Sequence, residues 1–436
     1  MKKILSLSLA AILLLGMVSL FGGCSGNGSS SGAGSSGSSG SESQSADGEN
    51  VTLNFVRIGN DQGEADYWKS LIATFESDNP GIKVQYDDAA IGEAMETKLN
   101  TQFASGAGPD LIGHGILSVA SRVELGQYQP ITEQFNSWEG KDDLMESVLA
   151  NGTYKDEIYG LAYSTTPFIF AYRKDLFQEA GLDPEKAPET WDQLKGYALK
   201  LTVKEGDKIT RAGFAFPMTS GNFVEYDIFA FGNGGMFYDD QGNPTIDTPE
   251  KAEAFTFLMS FINEVNLPYN SNEVNPFLTG NAAMTLINNV ALTPMLNDEA
   301  YKDKVGIAFP PYKTTKASFS GCNMLFVGRD CKNVDAAFSF ISAALSKEEV
   351  LRRAKELSIP VTRASLVEDY VAMDPMNAVR AECVEYGIGM PRTTWATLFQ
   401  KVRNDMVQQV LYSKASPQQA LTDAQKQLED EIAAQG

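Results

Sequence analysis

The chain has 436 residues, 43% apolar and 21% charged, a globular composition long enough for two or three lobes. Its 35 basic against 56 acidic side chains leave a net charge of −21, which disfavours phosphate backbones and anionic lipid headgroups as partners. His114 is the single histidine, which excludes a three-histidine zinc site, and the four cysteines show no Cys-x-x-Cys spacing.

Met1-Lys2-Lys3 followed by the apolar run Ile4–Val18 reads as an export signal, too short for a membrane helix. Its exit, Leu20-Phe21-Gly22-Gly23-Cys24, resembles the lipobox of bacterial lipoproteins. That resemblance implies cleavage after residue 23 and a lipidated (palmitate-bearing) Cys24. Ser25–Gly48 holds 11 Ser and 7 Gly in 24 residues, a tether that cannot bury enough surface to fold. A formal dinucleotide fingerprint inside it, Gly32 to Gly37, has no flanking strand or helix and is an accident of composition.

Folded structure is predicted from Val51. Val51–Ile58 reads as a buried strand, followed by a helix with Trp68, Leu71, Ile72 and Phe75 at helical spacing, stopped by Asn79-Pro80-Gly81. Ile82, Val84 and Tyr86 alternate as a second strand, Met95, Leu99 and Phe103 mark a second helix, and Asp110–Ile112 a third strand. This alternation points to βαβ units and a parallel sheet. Phe168–Tyr172, Met284–Ile287, Val305–Ala308 and Asn323–Val327 are strand-like, and a helix opens at Thr190-Trp191-Asp192. The C-terminal third is helical. Trp395, Leu398, Phe399, Val402, Met406 and Val410 form one stripe, and Ser416-Pro417 with Gln419 caps a last helix. Cys322 and Cys331 flank a strand spanning roughly 20 Å, beyond disulfide reach, so free thiols are expected.

Seven segments in order carry a family resemblance: Phe75–Val84, Phe103–Asp110, Tyr159–Leu161, Tyr172–Leu182, Pro188–Leu194, Phe277–Met284 and the helix from Pro417 to Gln427. Together they resemble the extracellular solute-binding proteins of carbohydrate ABC importers, the maltose- and oligosaccharide-binding branch. The resemblance implies an α/β, two-lobed, type II binding-protein fold, with parallel-sheet lobes, a multi-crossing hinge and a helical C-terminus. Lobe one would be 51–165 plus 323–371 and lobe two 166–320 plus 374–436, with crossings near Ser164–Pro167, Phe319–Asn323 and Tyr370–Pro375. It implies no enzyme activity and no cofactor. It also implies a monomer that delivers a sugar to permease subunits, touches the membrane only through its lipid anchor on the extracellular face of a Gram-positive-type cell, and binds no nucleic acid.

Ligands of open α/β sheets lie beyond the carboxyl ends of the strands. That rule selects the loop with Asn60 and Asp61, the Gly113-His114-Gly115 turn, and the hinge residue Thr166. Alignment with the family adds Asn222, Phe223, Tyr226, Asn288, Asn289 and Trp395. Amides and carboxylates would hold hydroxyl pairs, and Phe223, Tyr226 and Trp395 would stack on a sugar face. Each has a plainer reading. Asp61 suits a helix N-terminus, Asn288-Asn289 a turn, His114 a loop hydrogen bond, and Trp395 the first core position of its helix. Trp191 marks the fold and is left out of the site. Asn288-Asn289-Val290 stands where some relatives carry Gly-Pro-Trp, which argues against a long aromatic groove. The proposed loops hold no Arg or Lys, so a neutral sugar is favoured over a phosphorylated ligand. A surface-anchored glycoside hydrolase, needing two carboxylates about one bond, and a sugar sensor on the same fold are the alternatives.

Overall fold

The computed structural model describes residues 50–435 apart from 60, 90, 91 and 263. The expected signal segment, Cys24, the tether and Asn60 lie outside the described residues.

The first strand, Val51–Ile58, buries Leu53 and Phe55 completely. Asp61 then caps the helix Gln62–Asp78, its carboxylate accepting the Glu64 N–H at 2.8 Å. That helix buries the predicted stripe of Trp68, Leu71, Ile72 and Phe75, and it ends where the Asn79 N–H bonds the Phe75 carbonyl. Strand Ile82–Ala89 returns parallel to the first from Val51↔Ile82 to Ile58↔Ala89. Helix Glu93–Ala104 buries Met95, Leu99 and Phe103, and strand Leu111–Gly115 joins the first strand on its other side, again parallel.

Beyond these three strands the pairing is mostly antiparallel, apart from the short parallel pair of Ser318-Phe319 with Gly387-Ile388, so the sheet is mixed where parallel-sheet lobes were expected. Strand Ser318–Gly328 runs antiparallel to Leu111–Gly115 on one side and to the long strand Gly160–Arg173 on the other. Strands Met284–Asn288 and Val305–Ala308 both pair antiparallel with the far half of Gly160–Arg173. A parallel pair needs a crossover connection. The two early helices supply that for three strands, whereas Ser318–Gly328 comes back from the second half of the chain in the opposite sense.

The two long strands carry two sets of cores. Trp68 lies edge-on to Phe55 at 5.3 Å and Tyr163 at 4.9 Å, within a cluster that includes Leu53, Leu325 and Phe340. The far half packs Phe170, Phe214, Phe229 and Phe261 with the C-terminal helices Ala396–Leu411 and Pro417–Gln435. The third predicted crossing, Tyr370–Pro375, falls at the break between helices Val367–Met373 and Asn377–Glu385. Cys322, Cys331 and Cys383 are free and buried, and burial pushes the Cys322 and Cys331 thiols up to about 12.

Candidate functional site

A cavity of about 650 Å³ opens over the two long strands. Thr166 and Phe168 line it from one strand, and Phe319, Gly321, Cys322 and Asn323 from the other. On one side stand Ile58, Glu93, Glu96 and His114–Ser118. Opposite them are Asn222, Asn288, Met390, Thr397 and Gln400. Phe168 and Phe319 meet edge to face at 5.9 Å, which leaves ring surface on the cavity wall.

His114 is the strand residue between two glycines. A Cβ on Gly113 would lie 2.5 Å from the Arg57 side chain, so glycine there lets the strand pass over that buried guanidinium. The His114 Nδ1 accepts the Gly115 N–H at 2.8 Å, which leaves the ring proton on Nε2, 2.9 Å from Glu96 Oε1. Glu96 also pairs with the buried Arg122. Its contact with His114 first, and Arg122 behind it, hold the Glu96 carboxyl at about 2 against the opposing effect of partial burial.

Across the cavity, Asn288 caps helix Asn289–Leu296, its Oδ1 accepting the Val290 N–H at 2.9 Å. Asn222 accepts from Arg403 at 2.6 Å. Glu93, Glu96 and His114 are the ionisable groups on the wall besides the buried Cys322, and no Arg or Lys lines it among the described residues. Among those residues, too, no cluster of three or more His, Cys, Asp or Glu could hold a metal ion.

Of the ten expected ligand contacts, His114, Thr166, Asn222 and Asn288 line the cavity. Asn60 lies outside the described residues, and Asp61 is spent on its helix cap. The three aromatic candidates face inward instead, which corrects the stacking assignment. Phe223 is buried, and Tyr226 stacks on Phe255 at 4.0 Å. Trp395 is 5% exposed, edge-on to Phe399, its Nε1–H donating to the Gly242 carbonyl at 3.2 Å. Asn289 is wholly buried, donating to the Ser358 carbonyl and accepting from Arg380. Half-buried Phe168 offers the cavity an aromatic ring, backed edge-on by the buried Phe319. Phe168 stands two residues beyond Thr166, hence on the same face of an extended strand, and that signal was present in the sequence. Glu93 and Glu96 follow from applying the strand-end rule to the second strand as well as the first.

The bacterial extracellular solute-binding protein family matches residues 60–350, well over half the chain, and the chain belongs to that family. It is a solute-binding protein with the two-lobed type II fold, and neither a hydrolase nor another enzyme. The mannitol-binding protein of Pseudomonas aeruginosa is 27% identical over 335 residues, 72% of this chain and 75% of that one. A solute-binding protein of Thermotoga lettingae bound with α-D-tagatose superimposes with a TM-score of 0.73 at 24% identity, covering 87% of this chain and 99% of that one. An ABC substrate-binding protein of Listeria monocytogenes in complex with cycloalternan gives 0.72 at 22% identity, covering 88% and 99%.

Trp395→Ala should cost roughly 3–5 kcal/mol of folding stability, as for a truncated core tryptophan, while the folded fraction keeps its ligand affinity. Denaturant unfolding with parallel titration checks this, and a tenfold affinity loss at unchanged stability would return Trp395 to the ligand surface. Folding lowers the Glu96 pKa from the ordinary 4.5 to about 2, so its contribution is present above about pH 4.5 and fades as the pH falls towards 2. Glu96→Gln should therefore lower stability near neutrality, on the order of 1 kcal/mol for a half-exposed carboxylate. The gap to the native protein should close in acid, as read from melting temperatures across pH.

Proposed function

We propose that this protein captures a neutral polyhydroxyl ligand, a sugar or polyol, for an ABC importer. The composition of the cavity wall carries the reading: two carboxylates, three asparagine side chains and one glutamine facing the same space as Phe168, hydroxyls, and no lining Arg or Lys among the described residues. Carboxylates and amide oxygens accept from hydroxyl pairs, amide nitrogens donate to them, and an aromatic ring covers a sugar's C–H face. A phosphate would meet Glu93 and Glu96 with no Arg or Lys on the wall to receive it, the Arg122 behind Glu96 being already paired. Tagatose, cycloalternan and mannitol in the names of similar proteins agree with the class and leave chain length open. A volume of about 650 Å³ falls within the ordinary range for small-molecule sites, about 300–1,000 Å³.

Lobe one is assigned to 51–165 plus 323–371 and lobe two to 166–320 plus 374–436, and the ligand is enclosed when they close. The antiparallel pairing of Ser164–Pro167 with Ser320–Asn323, between separate hydrophobic clusters, supports hinging there. Attachment to the cell surface runs through a lipidated Cys24, which the sequence Gly22-Gly23-Cys24 and the Ser/Gly tether support.

A thermal-shift panel of D-mannitol, ribitol, D-tagatose, maltose and glycerol 3-phosphate tests the ligand class. Stabilisation by a neutral member, about tenfold tighter than any effect of the phosphate ester, is expected. Preference for the ester would overturn it. Cys24→Ala should release the protein from the cell with its ligand affinity unchanged, and membrane retention of that variant would refute the anchor.

A further inference from the structure

Asn222 reaches the cavity from a loop that a distant helix grips. Helix Ala396–Leu411 aligns Gln400, Arg403 and Asn404 on one face, at i, i+3 and i+4. Asn404 donates to the Gly221 carbonyl and accepts the Phe223 N–H at 3.3 Å, and Gln400 Nε2 approaches the same Gly221 carbonyl at 3.5 Å. Ser220 Oγ holds the Asn222 backbone N–H at 3.0 Å. Arg403 completes the grip on the side chain, with Nη2 2.6 Å from Asn222 Oδ1. Its other arm pairs with Asp227 on helix Val224–Gly232, and both partners of that ion pair are about 1% exposed.

A guanidinium has five N–H donors and no acceptor. Whatever meets it must be the carbonyl oxygen of Asn222, so the amide orientation is fixed by chemistry. Asn222 Nδ2 has no partner among the described residues, while the residue itself lines the cavity. We infer that Arg403, itself locked by Asp227, is a positioning residue that turns the Asn222 N–H donors towards the ligand, so the ligand must offer an acceptor oxygen there. The inference rests on the reading of the cavity as a site for neutral hydroxylated ligands. It assigns specificity to a residue that never touches the ligand. Arg403 is worth burying for this purpose because a buried ion pair of this kind holds direction better than a solvated side chain would.

The test titrates the full protein with the tightest binder among D-mannitol, ribitol, D-tagatose and maltose. Asn222→Asp keeps an acceptor for Arg403 but replaces the donor facing the cavity by an acceptor oxygen. It should melt within a few degrees of the native protein and lose tenfold or more in affinity. Arg403→Gln combined with Asp227→Asn avoids leaving a lone buried charge. That pair of changes should weaken binding several-fold when Asn222 is present and have no further effect in the Asn222→Ala background, since the effect acts through that amide. Native affinity in Asn222→Asp would overturn the inference, as would an equal loss from the paired changes in both backgrounds, which marks a merely structural role. Failure of the native protein to bind any of the four probes is a separate result, visible before any variant is made, and it removes the cavity reading and this inference together.

Discussion

The backbone pairing of Gly160–Arg173 with Ser318–Gly328 is the constraint on which the molecule depends. Side chains alternate faces along a strand, and this pair serves three purposes in succession along its length. Ala162 belongs to one core, Thr166 and Phe168 face the cavity, and Phe170 and Tyr172 enter the other core. The partner strand repeats the order in reverse, from Met324 through Asn323–Phe319 and on to the second cluster. The cavity thus lies over the middle of the two strands, between their two packed ends. Pairing is irregular between Asn323 and Met324, opposite the extra residue Tyr163. Such a bulge re-aims side chains beside a site, and here it separates the tightly packed Met324 from the cavity-facing Asn323.

A second feature follows from charge. Arg57, Arg122 and Arg403 are all buried close to residues of the cavity wall, and each is committed to carboxylates. Arg57 joins Glu64 to Asp88 and donates from Nε to the Tyr86 hydroxyl oxygen at 3.0 Å, cross-linking the first helix to the ends of two strands. Arg122 steadies Glu96, and Arg403 steadies Asn222. Positive charge therefore supports the wall from behind without reaching its surface. Burial raises Glu225 to about 7 and Asp227 to about 6, although Arg403 opposes both shifts. The site itself presents acceptors, donors and ring faces, the surface a hydroxylated ligand needs.

Much of the fold was legible because its periodicities are strong. The Trp68 stripe, the Met95–Phe103 spacing, the caps at Asp61 and Ser416, and the extended runs all rest on local chemistry that tertiary structure respects. Strand direction was not legible past Gly115, since the partner of that strand lies some two hundred residues on, and no local pattern records it. The polar cavity residues were partly readable, because strand ends and glycine-flanked turns have a physical reason to face a ligand. Aromatic roles were not. Tyr226 and Trp395 lie on helices whose apolar stripes are wide enough for either reading, and only packing against Phe255 and Phe399 decides between them. Arg403 was hidden for a related reason: its partners Asn222 and Asp227 are far away in sequence, and it stands one place from the core position Val402.

The central claim is that a ligand bound over the two-strand hinge is enclosed by lobe closure. Small-angle X-ray scattering on the protein with and without saturating amounts of its tightest sugar or polyol tests this most directly. A smaller radius of gyration in the bound state is predicted, and an unchanged radius with the site fully occupied would contradict the account.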